Sequence, residues 1–298
     1  MNLEYKVIDN KYQDINQILK QEFHISARLQ HRLINTKHIL LNGIICDTRS
    51  CVSVNDIITI NLDFEEESSN IISAEMKLDI IYEDDAFLVL NKPAGIAIHP
   101  SILHYQDSLS NGVKFYFESI GLKRKIRPIN RLDLNTSGLV IFAKNEYVQE
   151  CLVQQMATHI FQKEYIAIVH GIFKHKSGTI NLPIARKENS IIERCISDNG
   201  QEAITEYKVA QEFCNFSVVT CLLKTGRTHQ IRVHMSAIGH PLLGDTLYSC
   251  SLSQTCTTRL INRQALHSYK ICFLHPISNK FLEFKCDLPD DMMNIISK

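Results

Sequence analysis

The chain has 298 residues, which is enough for one large domain with a smaller one or for two medium-sized domains. Its 32 lysines and arginines balance its 32 aspartates and glutamates, and this zero net charge argues against a uniformly basic coat for nucleic acid. Any contact with RNA must therefore come from local basic patches. The apolar fraction of 45% suffices for a well-buried core.

The cysteines and the first residues of the chain indicate a cytoplasmic protein with reduced thiols. There are 10 cysteines and no Cys-x-x-Cys pair, and the expectation for Cys250 and Cys256 is a structural role. The first residues, Met1 to Lys6, lack the apolar run of a signal peptide, and no stretch approaches the ~20 apolar residues of a membrane span.

Residues 14 to 62 predict a small separate unit. Apolar residues recur there at helical spacing in two segments, which predicts two helices, with Ser26 as the cap of the second. These apolar residues are Ile15, Ile18 and Leu19, followed by Leu29, Leu33 and Ile34. A strand, an Asn42-Gly43 turn and a second strand are predicted over 39–45, and residues 52–60 predict one more strand.

A polar break separates this unit from the rest of the chain. Residues 65–74 are predicted to be a linker, and residues 75–298 to be one mixed α/β domain. The predicted strands are 87–90, 139–143, 165–169, 216–223 and 281–284, and the predicted helices are 145–159 and 228–238. Helices are too few and too irregularly spaced for a repeated strand-helix pattern. An α+β domain with a mixed, largely antiparallel sheet is therefore favoured over a doubly wound one.

A single acid stands out in the stretch from Arg127 to Lys144. Asp133 lies between Arg131 and a Thr-Ser-Gly turn at 136–138, and an apolar strand follows directly. This layout places a carboxylate in a tight loop at the mouth of a rigid strand. An Arg-Leu-Asp triplet alone is common, and on its own it indicates no more than an ion pair at a turn.

Several further segments accompany this motif in a fixed order. They are 91–100, 163–171, 223–234, 239–245, 263–268 and 275–276. Together with the Asp133 motif, they make the chain from residue 80 to 290 resemble the RluA-type family of RNA pseudouridine synthases. The resemblance implies the pseudouridine synthase fold and an isomerase that converts uridine in RNA to pseudouridine.

The resemblance also implies roles for the site residues. Asp133 corresponds to the nucleophile, Arg227 to the arginine that keeps it ionised, and Tyr165 to the tyrosine that packs on the target base. Arg131 would brace the RNA after the uridine has been flipped out. Arg227 could instead be a turn arginine bound to backbone carbonyls. The family commonly has histidine where this chain has Asn130, which argues against an essential acid-base role there.

Two basic groups are predicted to contact RNA phosphates. Residues 1–64 resemble the alpha-L (S-four-type) RNA-binding module, in which Arg28, Arg32 and Lys37 would form a basic stripe on the second helix and at its end. The second group leads into the Asp133 motif and consists of Lys123, Arg124, Lys125 and Arg127. For both groups, a solvated surface without RNA is the alternative interpretation.

The expected substrate is large-subunit ribosomal RNA, and the alternatives are transfer RNA or a non-catalytic role in ribosome assembly. No cofactor is expected, because the reaction transfers neither electrons nor phosphate and the chain has no phosphate-loop motif. No metal is expected either, since His229 and His234 are five residues apart and do not share a helix face. A hydrolase with paired carboxylates would need a second acid near Asp133. Asp245 is the candidate for it, although a turn-stabilising role suits Asp245 better.

Overall fold

The computed structural model describes residues 1–66, 68, 70–249 and 260–297, so that Cys250 and Cys256 lie outside the described residues. The first unit is a four-stranded antiparallel sheet in the order β1-β4-β2-β3. Its strands are β1 (Asn2–Lys6), β2 (Ile39–Leu41), β3 (Ile44–Ile45) and β4 (Ile57–Asn61). Helices α1 (Ile15–Gln21) and α2 (Ala27–Asn35) connect β1 to β2.

The sequence-based prediction for this unit is confirmed in its order of elements. The Ser26 side chain accepts a hydrogen bond from the Leu29 amide at 3.2 Å and caps α2. Asn42 and Gly43 both have positive φ, 52° and 82°, as the tight turn of a hairpin requires. The last strand begins later than predicted, at Ile57, because the preceding residues form a turn in which Asn55 has a φ of 78°.

The rest of the chain forms one large sheet with helices on its faces. Within the described residues this sheet has ten strands, along the path β10-β13-β14-β9-β15-β8-β6-β5, with β16 paired to β15 and β7 to β8. The strands are β5 (Ile80–Glu83), β6 (Phe87–Lys92), β7 (Arg127–Pro128), β8 (Ser137–Ala143), β9 (Gln162–His170), β10 (Ser177–Asn181), β13 (Ile204–Glu212), β14 (Phe216–Leu223), β15 (Leu266–Leu274) and β16 (Phe281–Lys285). A separate pair comprises β11 (Ile184–Arg186) and β12 (Arg194–Ile196).

In the part of the chain that the structure describes, four helices accompany this sheet: α3 (Leu109–Ser119), α4 (Glu146–Ala157), α5 (Gln230–Ala237) and α6 (Asp290–Ile296). The two predicted helices correspond to α4 and α5, whereas α3 and α6 were not predicted. The periodicity of α3 is hidden because it carries Asn111 and Gly112, which are poor helix formers. Among the described residues, no helix combines the length and apolar character needed to cross a bilayer.

The pairing of β8 with β15 is parallel, whereas the other pairs of the large sheet are antiparallel. This confirms the predicted α+β class with a mixed, largely antiparallel sheet. The parallel contact explains the glycine of the Thr-Ser-Gly turn. Gly138 has a φ of 111°, and a side chain there would collide with the backbone of Ser268 on β15. The start of β8 is thereby held directly against β15.

A buried ion cluster joins the first unit to the large sheet at the start of β7. Both terminal nitrogens of Arg127 donate to the Glu66 carboxylate at 2.6 Å, and the Glu66 side chain is fully buried. Arg32 on α2 also pairs with Glu66 and, at 3.1 Å, with Glu146 on α4. We call these four residues the Glu66 cluster. The segment predicted as a linker therefore includes a buried residue, Glu66, that connects the first unit to the large sheet.

The Glu66 cluster contradicts two of the predicted phosphate contacts. Arg127 is buried and both ends of its guanidinium are engaged by a carboxylate, so it is not available to RNA. Arg32 is engaged by two carboxylates and stacks over the Phe64 ring at 4.2 Å. The sequence could not reveal this because the partners lie far apart along the chain.

We predict that Glu66→Ala destabilises the protein by about 3 kcal/mol or more, because it leaves the buried Arg127 without its counter-charge and removes one of the two carboxylates that pair with Arg32. Burial raises the pKa of Glu66, but the bonds from Arg127 and Arg32 outweigh it and bring the pKa below its ordinary value. The stabilisation is therefore present above about pH 4.3, the unfolded value, and is lost as the pH falls further.

The neighbouring Glu65 provides the matched control. Its side chain is 76% exposed and pairs with the exposed Lys123 at 3.3 Å, so that Glu65→Ala is expected to change the free energy of unfolding by less than about 0.5 kcal/mol. Urea denaturation of both variants measures the difference. Equal stability of the two variants at pH 7 would show that the Glu66 cluster does not anchor the first unit.

Candidate active site

Asp133 lies in a short loop between β7 and β8, which we call the Asp133 loop (residues 129–136). Its backbone carbonyl accepts a hydrogen bond from the Thr136 amide at 3.1 Å, which closes a turn. The buried Asn130 fixes the start of the loop: its amide donates to the Leu139 carbonyl and accepts from the Ile141 amide, both at 3.0 Å. The Asn130 side chain thereby connects the loop to β8.

The buried side chains of Lys92 and Arg263 bind backbone carbonyls of the Asp133 loop. The Lys92 ammonium is fully buried and donates to the carbonyls of Pro93, Ile96 and Leu134 at 2.8–2.9 Å. Arg263 donates to the Asn135 carbonyl at 3.1 Å. Burial and the nearby charge of Arg263 lower the pKa of Lys92 to about 7. The two carbonyls that follow Asp133 are thus held by buried side-chain donors.

The loop opens onto a cavity of about 520 Å³ that contains the predicted catalytic residues. Asp133, Tyr165, Arg227 and Arg131 all line this cavity, so the structure brings these four residues together. The Asp133 side chain is 25% exposed and therefore accessible from the cavity. Tyr165 projects from β9 and is only 5% exposed.

The arginine that contacts Asp133 is Arg232 on α5, and the sequence did not predict it. Nη1 of Arg232 donates to the Asp133 carboxylate at 3.1 Å. Its Nε and Nη2 donate to the two oxygens of Asp245 at 2.7 and 2.9 Å. The Asp245 side chain is fully buried and also accepts the Leu247 and Tyr248 amides. One guanidinium thereby bridges an accessible carboxylate and a buried one.

Arg227, to which this contact was assigned, makes a different one. Its Nε donates to the Glu202 carbonyl at 2.9 Å, and its backbone amide donates to the Gln230 side chain. This is the turn arginine that the sequence left open as the alternative. The apolar neighbours of Arg232, Ile231 and Val233, were the available signal, because an arginine flanked by core residues in a helix must be paired.

His229 completes the wall of the cavity beside Asp133. It precedes α5 with a φ of 58°, and its Nδ1 lies 2.7 Å from the Tyr248 hydroxyl. Its Nε2 lies 3.8 Å from the Asp133 carboxylate. Burial lowers the pKa of His229 despite the opposing charge of Asp133. The imidazole is therefore neutral at pH 7, and Arg232 is the cation that faces the carboxylate.

Tyr165 is kept in its neutral phenol form. Burial raises the pKa of its hydroxyl, and the negative charge of Asp133 acts in the same direction. The phenol therefore presents an apolar ring to the cavity next to a carboxylate. A flat, uncharged ring is a suitable surface for stacking a nucleobase.

Most of the predicted phosphate ligands lie outside this cavity. Arg124 pairs with Asp63 and donates to the Phe64 carbonyl, while Lys123 pairs with Glu65. Lys125 is exposed and, within the described part of the chain, makes no ion pair. Arg131 is exposed at the rim of the cavity.

Arg28 and Lys37 are exposed on the first unit, and Arg28 lies 3.3 Å from Glu146.

His229 and His234, which were considered as metal ligands, lie in different surroundings. His234 is fully buried, and its ring nitrogens contact Thr205 and the Leu182 carbonyl at 2.9 Å, whereas His229 faces the cavity. Over residues 1–66, 68, 70–249 and 260–297, no group of three potential metal ligands occurs.

Comparison with known proteins identifies the family. The model of the RNA pseudouridylate synthase family matches residues 86–237. An uncharacterised RNA pseudouridine synthase of Bacillus subtilis, YjbO, is 36% identical over 256 residues, covering 86% of this chain and 88% of its own. Ribosomal large subunit pseudouridine synthase D of Vibrio cholerae is 34% identical over 277 residues, covering 90% and 85%.

A solved structure supports the same assignment. Human RNA pseudouridylate synthase domain containing 1 superimposes with a TM-score of 0.59 at 26% identity, covering 71% of this chain and 83% of its own. The matched region contains the Asp133 loop, β9 and α5. The chain therefore belongs to the RNA pseudouridylate synthase family, in its RluA-type branch, and is an isomerase that converts uridine to pseudouridine.

Proposed function

We propose that this enzyme modifies uridines of large-subunit ribosomal RNA and that the reaction takes place at Asp133. The observation that carries the proposal is the Asp133 carboxylate, which is paired with Arg232 and opens into a cavity beside the Tyr165 ring. The ribosomal substrate is inferred from relatives named ribosomal large subunit pseudouridine synthase D, of which this chain covers 85% or more in Vibrio cholerae and Blochmanniella floridana. With this substrate, we also propose a cytoplasmic location.

The residues at the cavity suit the chemistry of an isomerisation. The bond between C1′ of the ribose and N1 of uracil breaks, a bond between C1′ and C5 forms, and the proton on C5 is replaced by one on N1. Atoms and electrons balance within the nucleotide, so no cofactor is required. Asp133 supplies the nucleophilic carboxylate, Arg232 orients it, and Tyr165 packs on the uracil.

A uridine reaches such a cavity only after it has left the RNA stack. Unstacking costs about a few kcal/mol, which contacts at the cavity rim must offset. Arg131 is exposed at this rim, two residues before Asp133. We propose that its side chain braces the RNA where the uridine has been removed.

We also propose that residues 1–64 form an S-four-type RNA-binding module. The order of two helices and a hairpin closed by Asn42-Gly43 supports this. Of the predicted basic stripe, Arg28, whose side chain is 85% exposed, and Lys37 are accessible, whereas Arg32 belongs to the Glu66 cluster.

We predict that Asp133→Asn abolishes pseudouridine formation, with a loss of at least about a thousandfold, because an amide of the same shape lacks the nucleophilic anion. The measurement is a pseudouridine map of ribosomal and transfer RNA from cells that lack the gene and carry either the wild-type gene or the variant. Wild type restores sites in large-subunit ribosomal RNA, and the variant restores none.

Two outcomes of this map would contradict the proposal. Restoration of the sites by Asp133→Asn would exclude this carboxylate as the reacting group. Restored sites confined to transfer RNA would identify the other substrate class. Binding of Asp133→Asn to the same RNA is the control, and it is expected to remain within about threefold of wild type because the variant removes no phosphate contact.

For the first unit, we predict that the double variant Arg28→Gln, Lys37→Gln weakens RNA binding and reduces the slope of log affinity against log salt by about 1.5. Point substitutions are preferred to deletion of the unit, because apolar residues of both parts form one continuous core and deletion would expose it. Filter binding over a salt series measures the effect.

Arg49→Gln is the control for this series. Its side chain is 90% exposed and lies in the loop after the hairpin, 3.6 Å from Asp47, so that it removes one surface charge from the same unit outside α2. The control is expected to leave the slope within about 0.3 of wild type. An unchanged slope for the double variant would exclude this face as a phosphate contact.

A further inference from the structure

Lys163 is a partly buried cation at the cavity, and the proposed chemistry does not use it. It lies two residues before Tyr165 on β9, so that both side chains point to the same face of the strand, and both line the cavity. Its ammonium makes no hydrogen bond or ion pair to another residue in the described part of the chain. Burial lowers the pKa of Lys163, and no carboxylate offsets this effect.

The surroundings of Lys163 leave space for its ammonium. A methyl group added at Gly226 would lie 3.3 Å from the Lys163 nitrogen, so the glycine of the Gly-Arg-Thr turn keeps this space open. The nearby cation Lys224 differs because it pairs with Glu206 at 3.2 Å. A cation that is partly withdrawn from water and has no internal counter-charge is suited to an anion that arrives with the substrate.

The position of Lys163 indicates which anion this is. Among the described residues, Asp133 pairs with Arg232 and His229 and not with Lys163, so more than about 4 Å separates the Lys163 nitrogen from the carboxylate. Two residues along a strand span about 6.8 Å. This distance is comparable to the separation between a nucleobase and the phosphate of its own nucleotide.

We infer that Lys163 and the space beside Gly226 form a binding site for the phosphodiester group of the extruded uridine. The ammonium donates a charge-assisted hydrogen bond to a phosphate oxygen while the base lies against Tyr165. The site reads no sequence and positions the nucleotide in the cavity. This inference rests on the proposed reaction at Asp133.

The test uses a short RNA that contains a uridine modified by the wild-type enzyme, with a methylphosphonate replacing the phosphate on its 5′ or its 3′ side. Lys163→Met is expected to raise KM and the dissociation constant about tenfold or more, to change kcat less than about threefold and to reduce the salt slope by about 0.7. One methylphosphonate should weaken wild-type binding by a similar factor and leave Lys163→Met unaffected. Lys163→Arg should restore most of the affinity.

Lys270→Met is the matched control, since Lys270 lies on the adjacent strand, pairs with Glu164 at 3.1 Å and does not line the cavity. Equal sensitivity of wild type and Lys163→Met to both methylphosphonates would overturn the inference, as would a loss confined to kcat, which would indicate a contact with the base. Turnover of the unmodified RNA by Asp133→Asn would instead refute the proposed reaction site. Because binding is measured directly, these two failures are distinguishable.

Discussion

The guanidinium of Arg232 is the contact on which the geometry of the site depends. It engages buried Asp245 through two nitrogens and accessible Asp133 through the third. Because the guanidinium is planar and rigid, its pairing with Asp245 fixes the direction in which Nη1 points. Its face lies 5.0 Å from the centre of the Tyr248 ring, which further restricts its rotation. Arg232 on α5 thereby orients the carboxylate of Asp133, which lies 99 residues earlier in the chain.

The opposite side of the Asp133 loop is held by the sheet. Lys92 and Arg263 bind the two carbonyls that follow Asp133, and Gly138 brings β8 against β15 immediately beyond the turn. The Glu66 cluster extends this support, because Arg127 begins β7, the strand that leads into the loop. The first unit is thus connected to the Asp133 loop through the Glu66 cluster and β7.

Sequence reasoning reached the fold class, the order of elements in the first unit and four residues of the cavity. Local patterns sufficed there: apolar periodicity gave α4, and a Gly-containing turn before an apolar strand gave the Asp133 loop. The sequence-based prediction was wrong for arginines whose carboxylate partners lie far away along the chain. Arg232 was overlooked in favour of Arg227, five residues away in the same motif, because which arginine turns inward depends on Asp245 and on the path of α5. Arg127 was predicted to bind RNA because its partner, Glu66, lies in a segment with the composition of a polar linker.

The comparison of Arg232→Lys with Arg227→Lys tests the central role of Arg232 most directly. Both substitutions keep the positive charge at the same cavity, but only the first removes the fork that bridges Asp133 and Asp245. Single-turnover rates of pseudouridine formation are measured for variants whose melting temperatures match wild type to within a few degrees. We expect a loss of about a hundredfold or more for Arg232→Lys and less than about tenfold for Arg227→Lys. A greater loss for Arg227→Lys, or equal losses, would contradict the role assigned to Arg232.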